Sequence, residues 1–599
     1  MTAPDVLTAH LTPEAMSRAQ RHLVAKILAE TAHERMVAPA PIGPGAYRVN
    51  AGGSTYSFDA EVLPLEHWVI DEPSIRRTVG GDEAPLDAQA LVAELADRIG
   101  LSDELMPVYL EELAATLASA AWKLTHSHAT AADLLEADFQ QIEAAMTEGH
   151  PGFIANNGRI GFGAADHAAY SPEAGRPVRL LWVALRRGLS RLSLGEGLTE
   201  DDHYRFELGE EWLASARNRL AGLGENPDDY LLMPVHPWQW DNRLAVTFAP
   251  DVARRDLVLL GEGPHEHQAQ QSIRTFWNRT DPTRSYTKVA LSIQNMGFLR
   301  GLSPEFMTAT PAINDFVAGL VHGEPELRAR GFSVLRERAA IGYTGDAYHA
   351  TGRRSGWTRM TAALWRESPV DRVGDDERLA TMASLLHRDA AGTSYVATLV
   401  DASGLPAAEW VRRLLDAYVR PIVHCLARWN LAFMPHTENL VLVLGDHAVR
   451  RVIMKDVGEE VALLAPVEGL TVPEECARIA GDYPQEMHRL ALHTDVFDGV
   501  LRHLAGILHA DRVLDADDFW AEVAECLQRH AEDHPELAEA LARYDFAGPT
   551  FPHSCLNRLQ LRNTREMVDL GDQASSLMFA GELDNPVAGR APVSVAAGS

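Results

Sequence analysis

The stretch from Phe433 to Glu459, FMPHTENLVLVLGDHAVRRVIMKDVGE, constrains the chain more than any other. Two runs rich in Val, Leu and Ile, Leu440 to Leu444 and Ala448 to Met454, flank Gly445-Asp446-His447 and read as one short β-hairpin. If Leu444 pairs with Ala448, the same register carries His436 opposite Asp456, and a β-bulge would shift that pairing by one residue. The hairpin therefore gathers His436, Glu438, Asn439 and Asp456 at its mouth. Such groups suit Mg²⁺ and a polyphosphate, so this segment is a candidate nucleotide site. An ordinary hairpin with polar ends remains the alternative at this point.

The order His, Asn, strand, turn, strand, Asp, Gly resembles the metal-binding half of kinase-like phosphotransferases, where an Asn and a later Asp hold Mg²⁺ on ATP. Those enzymes also need an Asp that takes the proton from the substrate hydroxyl. Five positions before Asn439, where the antibiotic-kinase version has it, stands Met434, which cannot act as a base. The metal-holding part of the pattern is present without the phosphoryl-acceptor part, so ATP should be used differently.

At 599 residues the chain is too long for one compact core, and two or three subdomains are expected. A formal charge of −30 argues against a nucleic-acid partner and against an anionic membrane surface. Cys425, Cys476, Cys526 and Cys555 lie far apart, suggesting neither a zinc ribbon nor a disulfide framework. The first residues show no basic segment followed by an apolar core, and no apolar run has the length of a membrane span, so a cytoplasmic protein is expected. Of 54 basic residues only Lys26, Lys123, Lys288 and Lys455 are lysine. Where most lysines have drifted to arginine, the survivors are enriched at sites needing a compact ammonium. None follows a glycine, which excludes a P-loop.

Three regions follow from periodicity. Residues 1–145 are Ala- and Leu-rich with helical spacing, as in LTPEAMSRAQRHLVAKILAE and DAQALVAELADRIG, and read as a helical lobe. Residues 146–330 carry more Gly, Pro, aromatics and short β-like runs and read as a mixed, sheet-containing lobe. From 331 to 599 helices return, interrupted by the hairpin, and the tail from Asn585 reads as disordered.

Two further clusters carry chemistry. In QSIRTFWNRTDPTRSYTKVALSIQNMGFLR, Ser272, Arg274 and Thr275 offer two hydroxyls and a guanidinium, and Lys288 and Arg300 stand twelve residues apart. A phosphate chain requires such donors. An edge strand with surface Arg and Thr would look the same. The second pair is GHPGFIANNGRIGF (Gly149 to Phe162) and MPVHPWQWDN (Met233 to Asn242). His-Pro turns fix an imidazole on stiff backbone. His236 reads as structural, in a turn packed on Trp238 and Trp240.

Taken together, GHPGF...GRIGF, MPVHPWQW, SIRT, the Lys and Arg twelve apart, and HTEN...KD resemble the NRPS-independent siderophore synthetases, the aerobactin-synthetase-like enzymes, over residues 145–570. The resemblance implies an α+β, cupped-hand architecture: a helical N-terminal thumb, a mixed fingers lobe, and a helix-rich palm whose β-hairpin forms an ATP site. It implies Mg-ATP, activation of a carboxylate as its acyl-adenylate, amide formation with an amine, and a homodimer. Carried onto this chain, it makes Ser272, Arg274, Thr275, Lys288 and Arg300 phosphate-binding residues. His436, Asn439 and Asp456 complete the ATP site, with Glu438, Asn439 and Asp456 on the metal. Lys288, Arg300 and His436 are the catalytic candidates. His150, Asn156, Asn157 and Arg159, with Arg300 and His436, are the candidates for the acyl substrate.

Two departures matter. The family commonly has His and Lys where this chain has Phe153 and Asn157, and Gln where it has Glu438. The first puts citrate in doubt as substrate. The variant GHPGFIANNGRIGF is most similar to the desferrioxamine synthetases, which join N-hydroxy-N-succinyl-diamine units and close the ring. Three readings stand: an amide synthetase, a kinase-like phosphotransferase, and a non-catalytic nucleotide-binding or iron-siderophore-handling protein. His436 can orient the carboxylate or stabilise the oxyanion, and no residue is identified as the base for the amine.

Overall fold

The computed structural model describes residues 4–562 and 577–590. Helix α1 (Pro13–His33) begins where capping rules place it, with the Thr12 side chain accepting from the Ala15 amide and Pro13 in the first turn. Leu23, Val24, Ile27 and Leu28 form its buried stripe. Six antiparallel strands, β1–β6 (residues 40–84), come next, followed by α2 (Ala88–Ile99) and α3 (Met106–His126). The reading of residues 1–145 as a helical lobe is corrected by this sheet. Its signal was local: AYRVNA and STYSF flank Gly52-Gly53, and Ala51 pairs with Ser54 across that two-residue turn. Short strands with exposed outer members hid it, since only inward positions such as Val49, Tyr56 and Phe58 are buried.

The central part holds two sheets. A three-stranded one comprises β7 (Leu181–Arg186), β9 (Tyr230–Val235) and β10 (Leu257–Glu262). A six-stranded one comprises β8 (Ser190–Leu194), β11 (His267–Ala269), β12 (Thr275–Asn278), β13 (Tyr286–Val289), β17 (Glu337–Tyr343) and β18 (Ala362–Arg366), in the order β11-β12-β13-β18-β17-β8. A small hairpin, β14 (Gln294–Asn295) and β15 (Phe298–Leu299), and helix α4 (Pro304–Gly323) lie between β13 and β17 in the chain. In the C-terminal part, β16 (Ser333–Val334), β19 (Arg378–Thr381), β21 (Leu440–Gly445) and β22 (Ala448–Met454) form a four-stranded sheet, β16-β22-β21-β19, and β20 (Leu431–Phe433) pairs separately with β23 (Val461–Leu463). Helix α5 (Ala407–Trp429) buries Trp410, Leu414, Tyr418, Ile422 and Leu426 in the same core as β21 and β22. Helices α6 (Ala516–Asp533) and α7 (Leu556–Arg562) follow.

The hairpin forms, with a different register from the expected one. Leu440 pairs with Met454 and Val443 with Arg451, then a bulge intervenes, and Gly445 pairs with Ala448. The turn is two residues long, Asp446-His447, and both have positive φ (49° and 59°), the pattern of a type I′ turn matched to strand twist. The pairing of Leu444 with Ala448 is therefore corrected, and with it the placement of His436 opposite Asp456. At the open end of the hairpin, Asn439 O accepts from the Lys455 amide (2.9 Å) and holds the strands in step.

The expectation of a disordered tail from Asn585 is corrected for residues 585–590. Val587 is fully buried, and the Asn585 side-chain amide donates to Phe546 O and Gly548 O. The remainder of that expectation lies outside the described residues. Among the described residues no helix is long and apolar enough to cross a membrane, and all four cysteines are buried and free.

Candidate functional site

The site forms where the six-stranded sheet meets the end of β22. Lys288 on β13 pairs across the strands with Thr275 on β12, and its ammonium lies 2.5 Å from Asp456 Oδ1 and 2.6 Å from Glu459 Oε2. Arg366, at the end of β18, places Nη2 2.6 Å from the same Asp456 oxygen and 2.7 Å from Glu337 Oε1. Burial opposes the charged form of Lys288, yet Asp456 and Glu459 outweigh it and its pKa is raised. Burial likewise works against the Asp456 carboxylate, and Arg366 and Lys288 override it and hold its pKa far below the ordinary range. Asp456 occupies left-handed backbone (φ 61°), a conformation a non-glycine residue keeps only when its surroundings enforce it. Gly458 explains part of that enforcement. A Cβ there would stand 2.2 Å from Glu337 Oε2 and 2.5 Å from Thr310 Cγ2, and the Gly458 amide donates to Glu337 (3.1 Å).

The cationic side comes from the turn before β12 and from the residue after β15. Ile273 is fully buried with φ 58°, an arrangement that costs a β-branched residue on the order of 1–3 kcal/mol. It shapes the turn that carries Ser272 and Arg274. Arg274 Nη1 donates to Gly301 O (2.5 Å), and Arg300 Nη2 donates to Asn295 O (2.9 Å). Burial, and then the Arg274 charge, lowers the Arg300 pKa to about 10. The Arg274 charge also opposes that of Lys288. Ser272 Oγ, Arg274 Nε and Arg300 Nε are buried without hydrogen-bond partners. Three cations held this close, with donors left over, suit an anion.

His436 faces a different carboxylate from the expected one. Its Nε2 is 3.7 Å from Glu460 Oε2 and 3.1 Å from Asn439 Nδ2, and its Nδ1 accepts from the Glu438 amide (3.3 Å). The Asn439 amide nitrogen donates to Met434 O (3.0 Å) and to Glu460, which leaves its carbonyl oxygen available. Burial disfavours a charged His436, but the Glu460 carboxylate beside it prevails and raises its pKa. His150 packs edge-on against His436, with ring centroids 5.7 Å apart, and burial followed by the His436 charge drives its pKa well down. The pKa values of the two imidazoles are thus pushed in opposite directions, the kind of separation that acid–base sites use.

The Gly149–Phe162 segment is clamped from both ends of the chain. From α7, Asn557 accepts from the Ile154 amide (2.9 Å) and donates to Gly152 O (2.8 Å). From α3, Glu112 accepts from the Gly297 amide (2.8 Å) and lies against Gly158. Phe153 packs on His150 with centroids 5.0 Å apart. Asn156 donates to Glu148 (3.1 Å), Asn157 donates to Asn156 Oδ1 (3.0 Å), and Arg159 donates to Asn157 Oδ1 (3.0 Å) and Glu173 (2.5 Å). Of the expected acyl-side residues, His150 therefore reaches His436, whereas both terminal nitrogens of Arg159 are already engaged. His236, fully buried and accepting from the Trp238 amide (3.0 Å), packs among Phe162, Tyr170 and Phe276.

Sequence reasoning missed Arg366, Glu337, Glu112 and Asn557, which belong to no motif. Glu459 and Glu460 directly follow Lys455-Asp456-Val457-Gly458, so adjacency alone could have flagged them.

Residues 138–387 match the IucA / IucC family model, and residues 408–569 match the model described as ferric iron reductase FhuF-like transporter. The chain is 44% identical over 585 residues to a putrebactin synthase of Shewanella sp. (strain MR-4), covering 97% of this chain and 92% of that protein. Among solved structures, aerobactin synthetase IucC from a hypervirulent pathotype of Klebsiella pneumoniae superposes with a TM-score of 0.84 at 26% identity, covering 96% of this chain and 98% of the other. The ATP-bound aerobactin synthetase IucA of the same source shares the fold, with a TM-score of 0.75 at 18% identity over 95% of this chain and 99% of the other.

Proposed function

This chain belongs to the NRPS-independent siderophore synthetases, the IucA/IucC family, and on that premise we propose that it is an ATP-dependent ligase that adenylates a carboxylate and condenses it with an amine. One observation carries the reading: Lys288, beside the Arg274 turn, meets Asp456 at 2.5 Å, so phosphate donors and oxygen ligands for a cation share one site. A kinase-like transfer lacks its base, because Met434 offers only a backbone carbonyl, to Asn439.

The donor set suits Mg²⁺, which takes oxygen ligands from one or two carboxylates and completes its shell with phosphate and water. Asp456, Asn439 through its carbonyl oxygen, and Glu438 would hold it, with Glu459 in reserve. Bound there, Mg²⁺ supplies charge neutralisation on the phosphates. Arg274, Lys288 and Arg300, with Ser272 and Thr275, grip the triphosphate. A substrate carboxylate oxygen attacks the α-phosphorus, the bond to the bridging oxygen breaks, and pyrophosphate leaves. Arg274, Lys288 and Arg300 stabilise the charge that builds during that step. His436, whose pKa Glu460 raises, orients the carboxylate through Nε2 and afterwards steadies the oxyanion formed when the amine attacks. AMP leaves as the amide forms, and the amine proton passes to solvent.

The acyl substrate is an N-hydroxy-N-succinyl-diamine, joined head to tail and closed into a ring in a desferrioxamine-type product. Phe153 and Asn157 support this over citrate, because they replace the basic residues that additional carboxylates would seek. The protein works as a cytoplasmic homodimer in this reading. The test is a screen of carboxylate- and amine-dependent pyrophosphate and AMP release over citrate, succinyl hydroxamate amines and their linear oligomers. Release with the hydroxamate amines supports the reading. ADP as the product, or activity with citrate alone, overturns it.

A further inference from the structure

Outside the set of residues just described, three histidines converge where α5, α6 and the end of α4 meet. His424 comes from α5, while His530 lies in the last turn of α6 and His534 caps it four residues later, the spacing that puts two side chains on one helix face. One ring nitrogen from each can be chosen so that all lie within 4.8 Å of one another. Ring centroids are 4.7–5.5 Å apart across the three pairs. His424 is 2% exposed and His530 is 0% exposed.

The polar accounting is anomalous. Both ring nitrogens of His424, both of His530, and Nε2 of His534 are buried with no hydrogen-bond partner. Every neutral imidazole carries an N–H that must donate and a lone pair that can accept, and leaving either unmet inside a protein is destabilising. Two such residues side by side, His424 and His530, are not explained by packing, whereas His534 already meets Glu536 through Nδ1 at 2.9 Å. Two carboxylates stand at the edge of the cluster. Glu326 Oε1, 3.4 Å from His534 Nε2, is already paired with Arg330. Glu324, which directly follows α4, has Oε1 3.8 Å from His424 Nε2 and only a distant contact with Arg428 (3.9 Å). Glu324 is therefore the freer fourth donor.

We propose that His424, His530, His534 and Glu324 form a structural site for a divalent transition ion of the Zn²⁺ class, stapling α4, α5 and α6 together. Three imidazole nitrogens within 4.8 Å of one another match the preferences of Zn²⁺, and Glu324, outside that group but 3.8 Å from His424 Nε2, would turn in to close the coordination shell, as structural rather than catalytic sites do. The other histidine cluster, His33, Asp498 and His553, is a poorer candidate because Arg502 Nε sits 2.8 Å from the same Asp498 oxygen that His33 contacts, placing a cation where an ion would go.

The test uses the full chain without a polyhistidine tag, stripped of metal and titrated with Zn²⁺ and with Co²⁺ in the absence of nucleotide. One equivalent of Zn²⁺ retained after desalting, a tetrahedral Co²⁺ ligand-field spectrum, and a rise in the thermal midpoint are expected. His424→Gln and His530→Gln should each weaken binding by at least about 100-fold, since loss of a mere outer-shell partner of a ligand already costs about 10- to 100-fold. His553→Gln and Asp456→Asn should leave it intact. Failure of the unmodified protein to retain Zn²⁺ overturns the proposal regardless of how the variants fold. Retention that is unchanged in His424→Gln and His530→Gln does so as well.

Discussion

Replacing Lys288 with methionine keeps an unbranched side chain, one atom shorter, and removes the ammonium with its charge and its hydrogen bonds. Lys288 is 4% exposed, and its ammonium serves Asp456 at 2.5 Å and Glu459 at 2.6 Å. Asp456 would keep Arg366 at 2.6 Å, whereas Glu459 would retain no cation within ion-pair distance among the described residues. Stranding one member of a buried pair costs about 3–5 kcal/mol. The sign with pH follows from Glu459. Burial favours its neutral acid, but Lys288 currently overrides this and depresses its pKa, so its stabilisation is present above the ordinary glutamate range and lost as pH falls. In Lys288→Met the depression disappears, and the stability deficit relative to wild type should be large at neutral pH and shrink in acid. Lys288→Met/Glu459→Gln removes the stranded charge and should recover most of the lost stability. Catalysis should not recover, because losing one transition-state donor costs about 2.7–4 kcal/mol, or 10²- to 10³-fold in rate. Urea unfolding at two pH values reports the first effect and carboxylate-dependent pyrophosphate release the second. If the double variant is as stable as wild type and releases pyrophosphate at the wild-type rate, Lys288 is only a structural counter-ion and the reasoning fails.

Gly458→Ala drives a methyl group into Glu337 and Thr310, both fully buried, and should cost about 1–3 kcal/mol of stability by overpacking. By displacing Asp456 it should also lower pyrophosphate release about 10²-fold, an effect of misplacement that a full-rate variant would disprove. Arg300→Gln relieves the repulsion from Arg274, so thermal stability should hold or rise while ATP affinity, measured by calorimetry, falls by about 1.5–3 kcal/mol. Unchanged affinity would remove Arg300 from the phosphate site. Glu112 is 2% exposed, and burial raises its pKa to about 7 against the opposing hydrogen bond from Gly297. An acid raised on folding makes the native state bind the extra proton, so stability falls as pH climbs from the ordinary glutamate range toward 7. Glu112→Gln should abolish that fall, a gain of up to about 3 kcal/mol over wild type at pH 8 relative to pH 4, read by chemical denaturation.

How much of this was legible in the sequence depends on the range of the interaction. Helices α1 and α2 announced themselves through local signals, Thr12 with Pro13 at one start and Asp87 at the other. The hairpin was equally visible, but its register was not. Register is decided by where the bulge falls between Val443 and Leu444 and by the two-residue turn, and an uninterrupted apolar first arm, LVLVL, fits several offsets against AVRRVIM equally well. The β1–β6 sheet was passed over for the opposite reason, since its outer strands bury almost nothing and leave little periodic trace.

The lysines show how far a one-dimensional signal can reach. In a chain that otherwise uses arginine, none of the four is exposed: Lys123 donates to Thr147 O, Lys26 pairs with Glu148, Lys455 is buried near Glu143, and Lys288 lies at the centre of the site. Retention marked positions of restricted exposure, where an ammonium and a guanidinium are least interchangeable. It could not name partners. Lys288 and Asp456 are 168 residues apart, and their meeting depends on the end of one sheet docking beside another. Arg366, which completes that meeting, sits in a strand whose sequence, AALWR, looks like any buried strand. A residue that acts on its neighbours through space leaves a mark on composition only when its chemistry is rare. Arginine is common in this chain, so Arg366 left none.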